Sequence, residues 1–180
     1  PDLRWVPSTG IYHEQGQWGN LPEGETFTSP ADANGPLVAH ILGDYFSEKY
    51  GVLDRPVTFM LENGRVTQVL GENLGLVDEL NAYLDAGENG RRAGEFAIGT
   101  NVGLTGLCGN LLQDEKYPGV HVAFGNPYPS ETGAGWTAKN HIDVIPLNCT
   151  IVVDGVTIMT GGKFDFELLG VPRPGASQQP

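Results

Sequence analysis

Short apolar runs separated by tight turns constrain the fold of this 180-residue chain more than any other feature. Residues 55–71, RPVTFMLENGRVTQVLG, alternate around Asn63-Gly64. The dipeptide Asn-Gly suits the positive φ angles of a type I′ turn. A later run, CTIVVDGVTIMTGGKF, turns in the same way at Asp154-Gly155. The sequence therefore predicts two β-hairpins.

Other segments predict further strands and one clear helix. The runs PLVAHILG (36–43), GEFAIGT (94–100) and GVHVAFG (119–125) are apolar and of strand length. Apolar residues recur at helical spacing from 75 to 86, and residues 110–116 predict a brief second helix. Many short strands with one or two helices predict the α+β class, as a sheet-dominated single domain with two β-hairpins.

Composition excludes several classes of function. The chain has 10 Lys and Arg against 22 Asp and Glu, a formal net charge of −12, and no basic stripe that could follow a nucleic acid backbone. No apolar run approaches the ~18 residues that a membrane span needs. Cys108 and Cys149 lack CxxC spacing, which favours a reduced, cytoplasmic protein over one with a long-range disulfide. We therefore expect neither a nucleic acid nor a membrane partner.

Polar residues interrupt two of the apolar strands. His141 and Asp143, in HIDV, occupy positions i and i+2 and therefore project from the same face of a strand, where they can bind one ion. His121 lies between two valines in VHV. Taken alone, a histidine in that setting is more typical of a hydrogen-bonded core residue than of a ligand.

Glu95 opens a third apolar strand, where a buried carboxylate is costly unless a cation pairs with it. Arg91 or Arg92 is the partner that the sequence suggests. Taken together, the two histidines, the aspartate and several glutamates form a mixed nitrogen and oxygen ligand set suited to Zn, Co, Mn or Fe(II). The alternative is that these carboxylates are spread around the surface of the domain.

Five short motifs, in this order across residues 20–145, resemble the M29 family of metallo-aminopeptidases, the aminopeptidase T and aminopeptidase S group. They are NLPEGETFTSP, RRAGEFAIGTN, GNLLQDEK, VHVAFGNPYP and HIDV. The resemblance covers most of this chain but only the C-terminal half of such an enzyme. It implies a metal-binding catalytic domain at residues 1–170, a missing N-terminal domain and a homodimer. The composition of VPRPGASQQP separately predicts a flexible tail at 171–180.

The resemblance also implies a two-ion site and the residues that form it. The implied metal ligands are Glu25, Glu95, Glu115, His121, His141 and Asp143. Glu95 would bridge the two divalent ions, with Zn or Co expected and Mn or Fe as alternatives. Tyr128, in NPYP, resembles an active-site hydroxyl donor. Glu23 has no counterpart in the family, and we expect it to be solvated.

Three functions remain open on this basis. The first is a hydrolase that acts on a peptide or small amide with a free amino terminus, in which two ions activate water. The second is a mononuclear Fe(II) dioxygenase of the 2,5-dihydroxypyridine type, which is similar in its histidine and HxD motifs and would use His121, His141 and Asp143 as a facial triad. The third is a non-catalytic binding or assembly module on the same fold.

Overall fold

A computed structural model of the protein describes residues 2–43 and 45–173. The strands in these residues are β1 (Val6–Ser8), β2 (Glu25–Thr28), β3 (Gly35–Ala39), β4 (Ile41–Leu42), β5 (Val57–Glu62), β6 (Arg65–Leu70), β7 (Ala93–Gly99), β8 (Gly119–Gly125), β9 (His141–Ile145), β10 (Ile151–Val153), β11 (Val156–Thr160) and β12 (Lys163–Phe164). The helices are α1 (Tyr45–Tyr50), α2 (Leu74–Leu84), α3 (Leu111–Asp114) and α4 (Pro129–Thr132). The predicted α+β class is confirmed.

The four helices differ in how far the sequence predicts them. Helix α2 and the short α3 fall where the apolar spacing places them, whereas α1 and α4 are too short, at six and four residues, to show a helical period. Within the described residues, even the 11-residue α2 falls short of the length and apolar character of a membrane span. Most of the predicted tail lies outside the described residues, and positions 171–173 are exposed.

Three antiparallel sheets organise the described residues. The largest has six strands in the order β1-β2-β7-β8-β9-β4, and the others have the orders β3-β5-β6 and β10-β11-β12. Strands β2, β7, β8 and β9 are adjacent in the large sheet although they come from segments far apart in the sequence. This adjacency brings four of the five resemblance motifs to neighbouring strands.

Both predicted hairpins are present. Asn63 and Gly64 join β5 to β6 with φ angles of 50° and 70°, and Asp154 and Gly155 join β10 to β11 with φ angles of 49° and 82°. Positive φ at both central positions is the geometry that Asn-Gly and Asp-Gly favour.

The apolar run at 36–43 is not one strand, as the sequence suggested. It divides at His40 into β3, which pairs with β5, and β4, which pairs with β9 in the large sheet. The His40 N–H donates to the Ile145 carbonyl, and the His40 carbonyl accepts from Leu53. These hydrogen bonds pair the N–H and carbonyl groups of His40, where the chain passes from one sheet to the other. The run can therefore contribute a strand to each of two sheets.

The large sheet has one apolar face and one polar face, because alternate residues of a strand point to opposite sides. Val122, Phe124, Ile142 and Val144 of β8 and β9 are at most 8% exposed. They form a core with residues of β5, β6 and α2, including Leu80. The alternate positions of β8 and β9 hold the polar residues predicted for the site. The core therefore supports the site from behind.

Replacing Phe124 with alanine should lower the free energy of unfolding by about 3–5 kcal/mol, because a fully buried ring leaves a cavity. Phe124 is 0% exposed, and its ring centroid lies 5.1 Å from that of Phe59. Urea unfolding of the metal-free protein measures the change. Val152→Ala, at a position that is 56% exposed, is the control and should change stability by less than about 0.5 kcal/mol. A loss below about 1 kcal/mol for Phe124→Ala would contradict this view of the core.

Candidate metal centre

Strand register places the predicted site residues of β7, β8 and β9 on one face. Glu95 lies opposite Ala123, and Ala123 lies opposite Asp143. Directly opposed residues of neighbouring strands lie on the same face of a sheet. His121 and His141 precede Ala123 and Asp143 by two positions, and they therefore lie on that face as well. Ala123 itself is small and fully buried.

Strand β2 and the segment after α3 bring three more polar residues to this face beside Gly99. Glu25 of β2 lies opposite Gly99 of β7. The backbone carbonyls of Glu115 and Tyr117 pack against Gly99 so closely that a Cβ atom would collide with them. The segment after α3 can therefore cross the end of the sheet, which carries Glu115 and Lys116 into the site.

All seven predicted site residues line one cleft of about 300 Å³. They are Glu25, Glu95, Glu115, His121, His141, Asp143 and Tyr128. The alternative that the carboxylates are scattered over the surface is therefore wrong for these residues.

Glu95 lies between the two imidazoles. Its Oε1 is 3.4 Å from His121 Nε2, and its Oε2 is 3.7 Å from His141 Nε2. Glu25 Oε2 lies 3.4 Å from His121 Nε2, and Asp143 Oδ1 lies 3.5 Å from His141 Nε2. Donor atoms arranged tetrahedrally at ~2.1 Å from an ion are roughly 3.4 Å apart. The spacing of these atoms thus fits coordination of a divalent ion.

The donor atoms form three overlapping groups, each with its atoms within 4.8 Å of one another. The groups are Glu25, Glu95 and His121; Glu95, His141 and Asp143; and Glu115, His121 and Asp143. The first two groups share only Glu95, which offers a different oxygen to each.

Hydrogen bonding orients these groups toward an ion. His141 Nδ1 lies 2.8 Å from the Asn126 carbonyl and must donate to it, so Nε2 faces the cleft and can bind an ion once it has lost its proton. Glu25 Oε2 is buried and has no hydrogen-bond partner within residues 2–43 and 45–173. A buried oxygen without a partner is costly, and a cation beside His121 would satisfy it.

Charge in the cleft raises the pKa of both imidazoles to about 9. Burial lowers these pKa values, but carboxylates outweigh it: Glu95 and Asp143 act on His121, and Asp143 and Glu95 on His141. Burial would raise the pKa of Asp143, yet the hydrogen bond with His141 lowers it. Without an ion, both histidines therefore hold protons at neutral pH and balance part of the negative charge of the carboxylates.

Two other acids have raised pKa values. Burial, followed by the charge of Asp143, raises the pKa of Glu115 to about 7. Burial, followed by the charge of Glu95, raises the pKa of Tyr128 to about 12. Glu115 can thus gain or lose a proton near neutrality, whereas Tyr128 remains a protonated donor.

Tyr128 has an unusual backbone conformation at the edge of the cleft. Its φ and ψ angles are 49° and 65°, in the left-handed region. Its ring centroid lies 4.8 Å from that of His141, and the residue is 41% exposed. Strained backbone in this region often marks a functional position.

The predicted partners of Glu95 are wrong. Arg91 forms an ion pair with Asp85, and Arg92 lies over the ring of Trp136 at 4.2 Å from its centroid. Glu95 faces the two histidines instead. The arginines lie just before the strand begins and point away from the cleft, so nearness in sequence was a poor guide.

The expectation that Glu23 is solvated is also wrong. Its side chain is 5% exposed, and its Oε2 lies 3.6 Å from Lys116 Nζ. Its other oxygen accepts a hydrogen bond from the backbone of Asn20 at 3.2 Å. Asn20 and Glu23 line the cleft, and this placement buries a carboxylate that the sequence suggested was part of an exposed loop.

Lys116 was not predicted as a site residue. Its side chain is 2% exposed, and its Nζ lies 2.6 Å from both Glu25 Oε1 and Glu115 Oε1. Burial lowers its pKa, but Glu115 and Glu25 outweigh burial and raise it. A lysine in the string QDEK is typical of an exposed helix end. Lys116 is instead buried, and one of its partners is Glu25, which lies far away in the sequence.

Comparison with known proteins identifies the family. The model of the family described as thermophilic metalloprotease (M29) matches residues 2–151. The chain belongs to the M29 family. This confirms the resemblance seen in the motifs. A search of the curated proteins found no match.

Two solved structures have the fold of this M29 chain. The 2,5-dihydroxypyridine dioxygenase from Pseudomonas putida KT2440 is 22% identical with a TM-score of 0.68, and the match covers 91% of this chain and 50% of that one. Wild-type AmpT from Thermus thermophilus is 23% identical with a TM-score of 0.64, over 91% and 45% of the two chains. The M29 chain thus spans about half the length of these proteins, and at these identities the similarity shows the fold alone.

Proposed function

We propose that this chain is the metal-binding catalytic part of an aminopeptidase that cleaves an amino-terminal peptide bond with two divalent ions. The observation that carries the proposal is Glu95, whose two oxygens face different histidines, His121 and His141. A carboxylate between two donor groups is suited to bridge two ions. Membership of a metalloprotease family supports peptide hydrolysis as the reaction.

Charge balance supports two ions. Among the residues that the structure describes, five carboxylates in the cleft have side chains that are at most 10% exposed: Glu23, Glu25, Glu95, Glu115 and Asp143. Lys116 balances one negative charge. With both histidines neutral as ligands, two divalent cations would balance the remaining four. Uncompensated charge at this burial is strongly unfavourable.

Held by Glu25, Glu95, His121, His141 and Asp143, divalent ions would polarise the substrate carbonyl and lower the pKa of water toward ~7. The oxygen and imidazole ligands suit Zn or Co, with Mn or Fe as alternatives.

Two side chains of the cleft supply the rest of the chemistry. Glu115, with its pKa raised to about 7, accepts a proton from the attacking water and returns it to the leaving amine nitrogen. Tyr128, with its pKa raised to about 12, donates its phenol hydrogen to the oxyanion that develops on the carbonyl.

The lining of the cleft supports a peptide or small amide as substrate. Beside the acidic cluster lie the apolar side chains of Phe27, Leu111 and Leu112. A free amino terminus would meet carboxylates, and a neighbouring side chain would meet this apolar wall. We further propose a homodimer and an N-terminal domain outside this chain. The two unpaired cysteines support a reducing, cytoplasmic setting.

Hydrolysis of matched amides tests the proposed function. The full-length protein loaded with Zn or Co should release the amine from leucyl p-nitroanilide but not from its N-acetyl derivative. Removal of the ions with a chelator should abolish the activity, and their return should restore it. No hydrolysis by a fully loaded protein would contradict the proposal, and failure to bind any divalent ion would favour a binding module.

The dioxygenase alternative is supported by the Pseudomonas putida structure, which shares the fold. Against it, Glu95 lies between the imidazoles of His121 and His141, where a mononuclear triad has no use for a carboxylate. One iron per chain, with oxygen uptake on a hydroxylated pyridine, would favour the dioxygenase over the peptidase.

Tyr128→Phe should reduce kcat by roughly 10²–10³, because it removes one donor to the developing oxyanion. The unfolding free energy should change little, since phenylalanine can keep the ring contacts with Phe27 and His141. Steady-state kinetics measure the effect. Tyr45→Phe, at a tyrosine on α1 outside the cleft, is the matched control. A Tyr128→Phe enzyme with wild-type kcat would show that this phenol only packs.

A further inference from the structure

The proposed function leaves Lys116 with no role beyond its charge, yet its surroundings are specific. Its Nζ lies 2.6 Å from Glu25 Oε1, 2.6 Å from Glu115 Oε1 and 3.6 Å from Glu23 Oε2. The side chain is 2% exposed. An ammonium this far removed from water is stable only when it is paired. Lys116 and its carboxylates therefore form one unit.

The backbone that carries Lys116 is fixed independently of these ion pairs. Asp114, 1% exposed, accepts hydrogen bonds from the N–H groups of Cys108 and Gly109, each at 2.8 Å. The Lys116 carbonyl accepts from the Asn101 N–H at 3.0 Å. The position of the ammonium is thus set by the loop and by α3, and it can serve as a fixed point for other groups.

The ammonium of Lys116 gives the two oxygens of Glu25 different surroundings. Oε1 accepts the hydrogen bond from Lys116 at 2.6 Å. Oε2 has no hydrogen-bond partner in the described part of the chain and lies 3.4 Å from His121 Nε2. A free carboxylate can bind an ion through one oxygen or through both. With Oε1 held, Glu25 presents only Oε2.

The geometry favours a lysine over another positively charged side chain. One ammonium nitrogen carries three N–H donors and can bond two carboxylates from a single point. The planar guanidinium of arginine is instead shaped to pair with one carboxylate through two parallel bonds. An arginine at position 116 would keep the charge but lose the shared contact with Glu25 and Glu115.

We propose that Lys116 is a positioning residue that restricts Glu25 to coordination of a metal ion through Oε2 alone. The proposal rests on the proposed metal site, since Glu25 must be a ligand for the restriction to matter. Groups that orient a ligand in this way typically change metal affinity by 10–100-fold when they are altered.

Cobalt(II) titration tests the proposal, because the visible spectrum of bound cobalt reports its coordination. Wild type, Lys116→Arg and Lys116→Met are titrated in competition with a chelator, and circular dichroism checks the fold of each. Lys49→Arg and Lys49→Met are matched controls, since Lys49 Nζ is also 2.6 Å from a carboxylate, that of Glu79, but at the surface. We expect Lys116→Arg to bind cobalt about 10–100-fold more weakly and both Lys116 variants to show a changed spectrum.

The outcomes separate this proposal from its premise. If Lys116→Arg keeps the wild-type spectrum and affinity, the lysine acts by charge alone and the proposal is overturned. If either variant fails to fold, the spectrum of the other decides, because a lysine that acts by charge alone would leave the coordination of cobalt, and therefore its spectrum, unchanged. Wild-type protein that binds no cobalt would overturn the proposed function as well.

Discussion

Replacing Glu95 with glutamine is expected to reduce the ions bound per chain from two to at most one. It should also lower kcat/KM for peptide hydrolysis by about 10³-fold, or roughly 4 kcal/mol. Glutamine has nearly the shape of glutamate, but its amide nitrogen cannot bind a cation and its oxygen carries no full charge. The group between His121 and His141 would then serve one ion at most.

Metal content by mass spectrometry and hydrolysis assays measure the two effects of Glu95→Gln. Glu62→Gln is the matched control, since Glu62 is an exposed residue at the end of β5. That variant should retain both ions and full activity. A Glu95→Gln protein with two ions and wild-type kinetics would contradict the role given to Glu95.

The affinity for divalent ions is expected to rise steeply with pH up to about 9. In the ion-free protein the pKa of His121 and that of His141 are both raised to about 9, and each imidazole must lose its proton before Nε2 can bind an ion. Each released proton contributes a factor of 10 per pH unit below the pKa. The product of the two binding constants should therefore rise about 100-fold per pH unit and level off above pH 9.

Competition titrations with zinc between pH 6.5 and pH 9.5 measure this slope. His141→Gln removes one of the two titrating imidazoles, and its slope should fall to about 10-fold per unit. His13→Gln alters an exposed histidine and should keep the full slope. An affinity that does not change between pH 7 and pH 9 would show that the imidazoles are not protonated in the ion-free site.

Features set by neighbouring residues could be predicted from the sequence. The turns at Asn63-Gly64 and Asp154-Gly155 depend on two residues each, and both hairpins are present. The His141-Asp143 pair follows from the two-residue period of a strand, and the two side chains do meet at 3.5 Å.

Features set by distant contacts could not be predicted. Lys116 gains its role from Glu25, 91 positions earlier in the chain, and neither residue signals the other. The division of 36–43 at His40 depends on Ile145, which belongs to another sheet. The convergence of the ligand set came from resemblance to a family, because the spacing of the residues did not specify the order of β2, β7, β8 and β9.

Anomalous scattering from a crystal grown with zinc or cobalt tests the central claim most directly. We expect two ions in the cleft, with Glu95 Oε1 bound to the ion beside His121 and Glu95 Oε2 bound to the ion beside His141. A single ion held by His121, His141 and Asp143, with Glu95 unbound, would contradict the two-ion site.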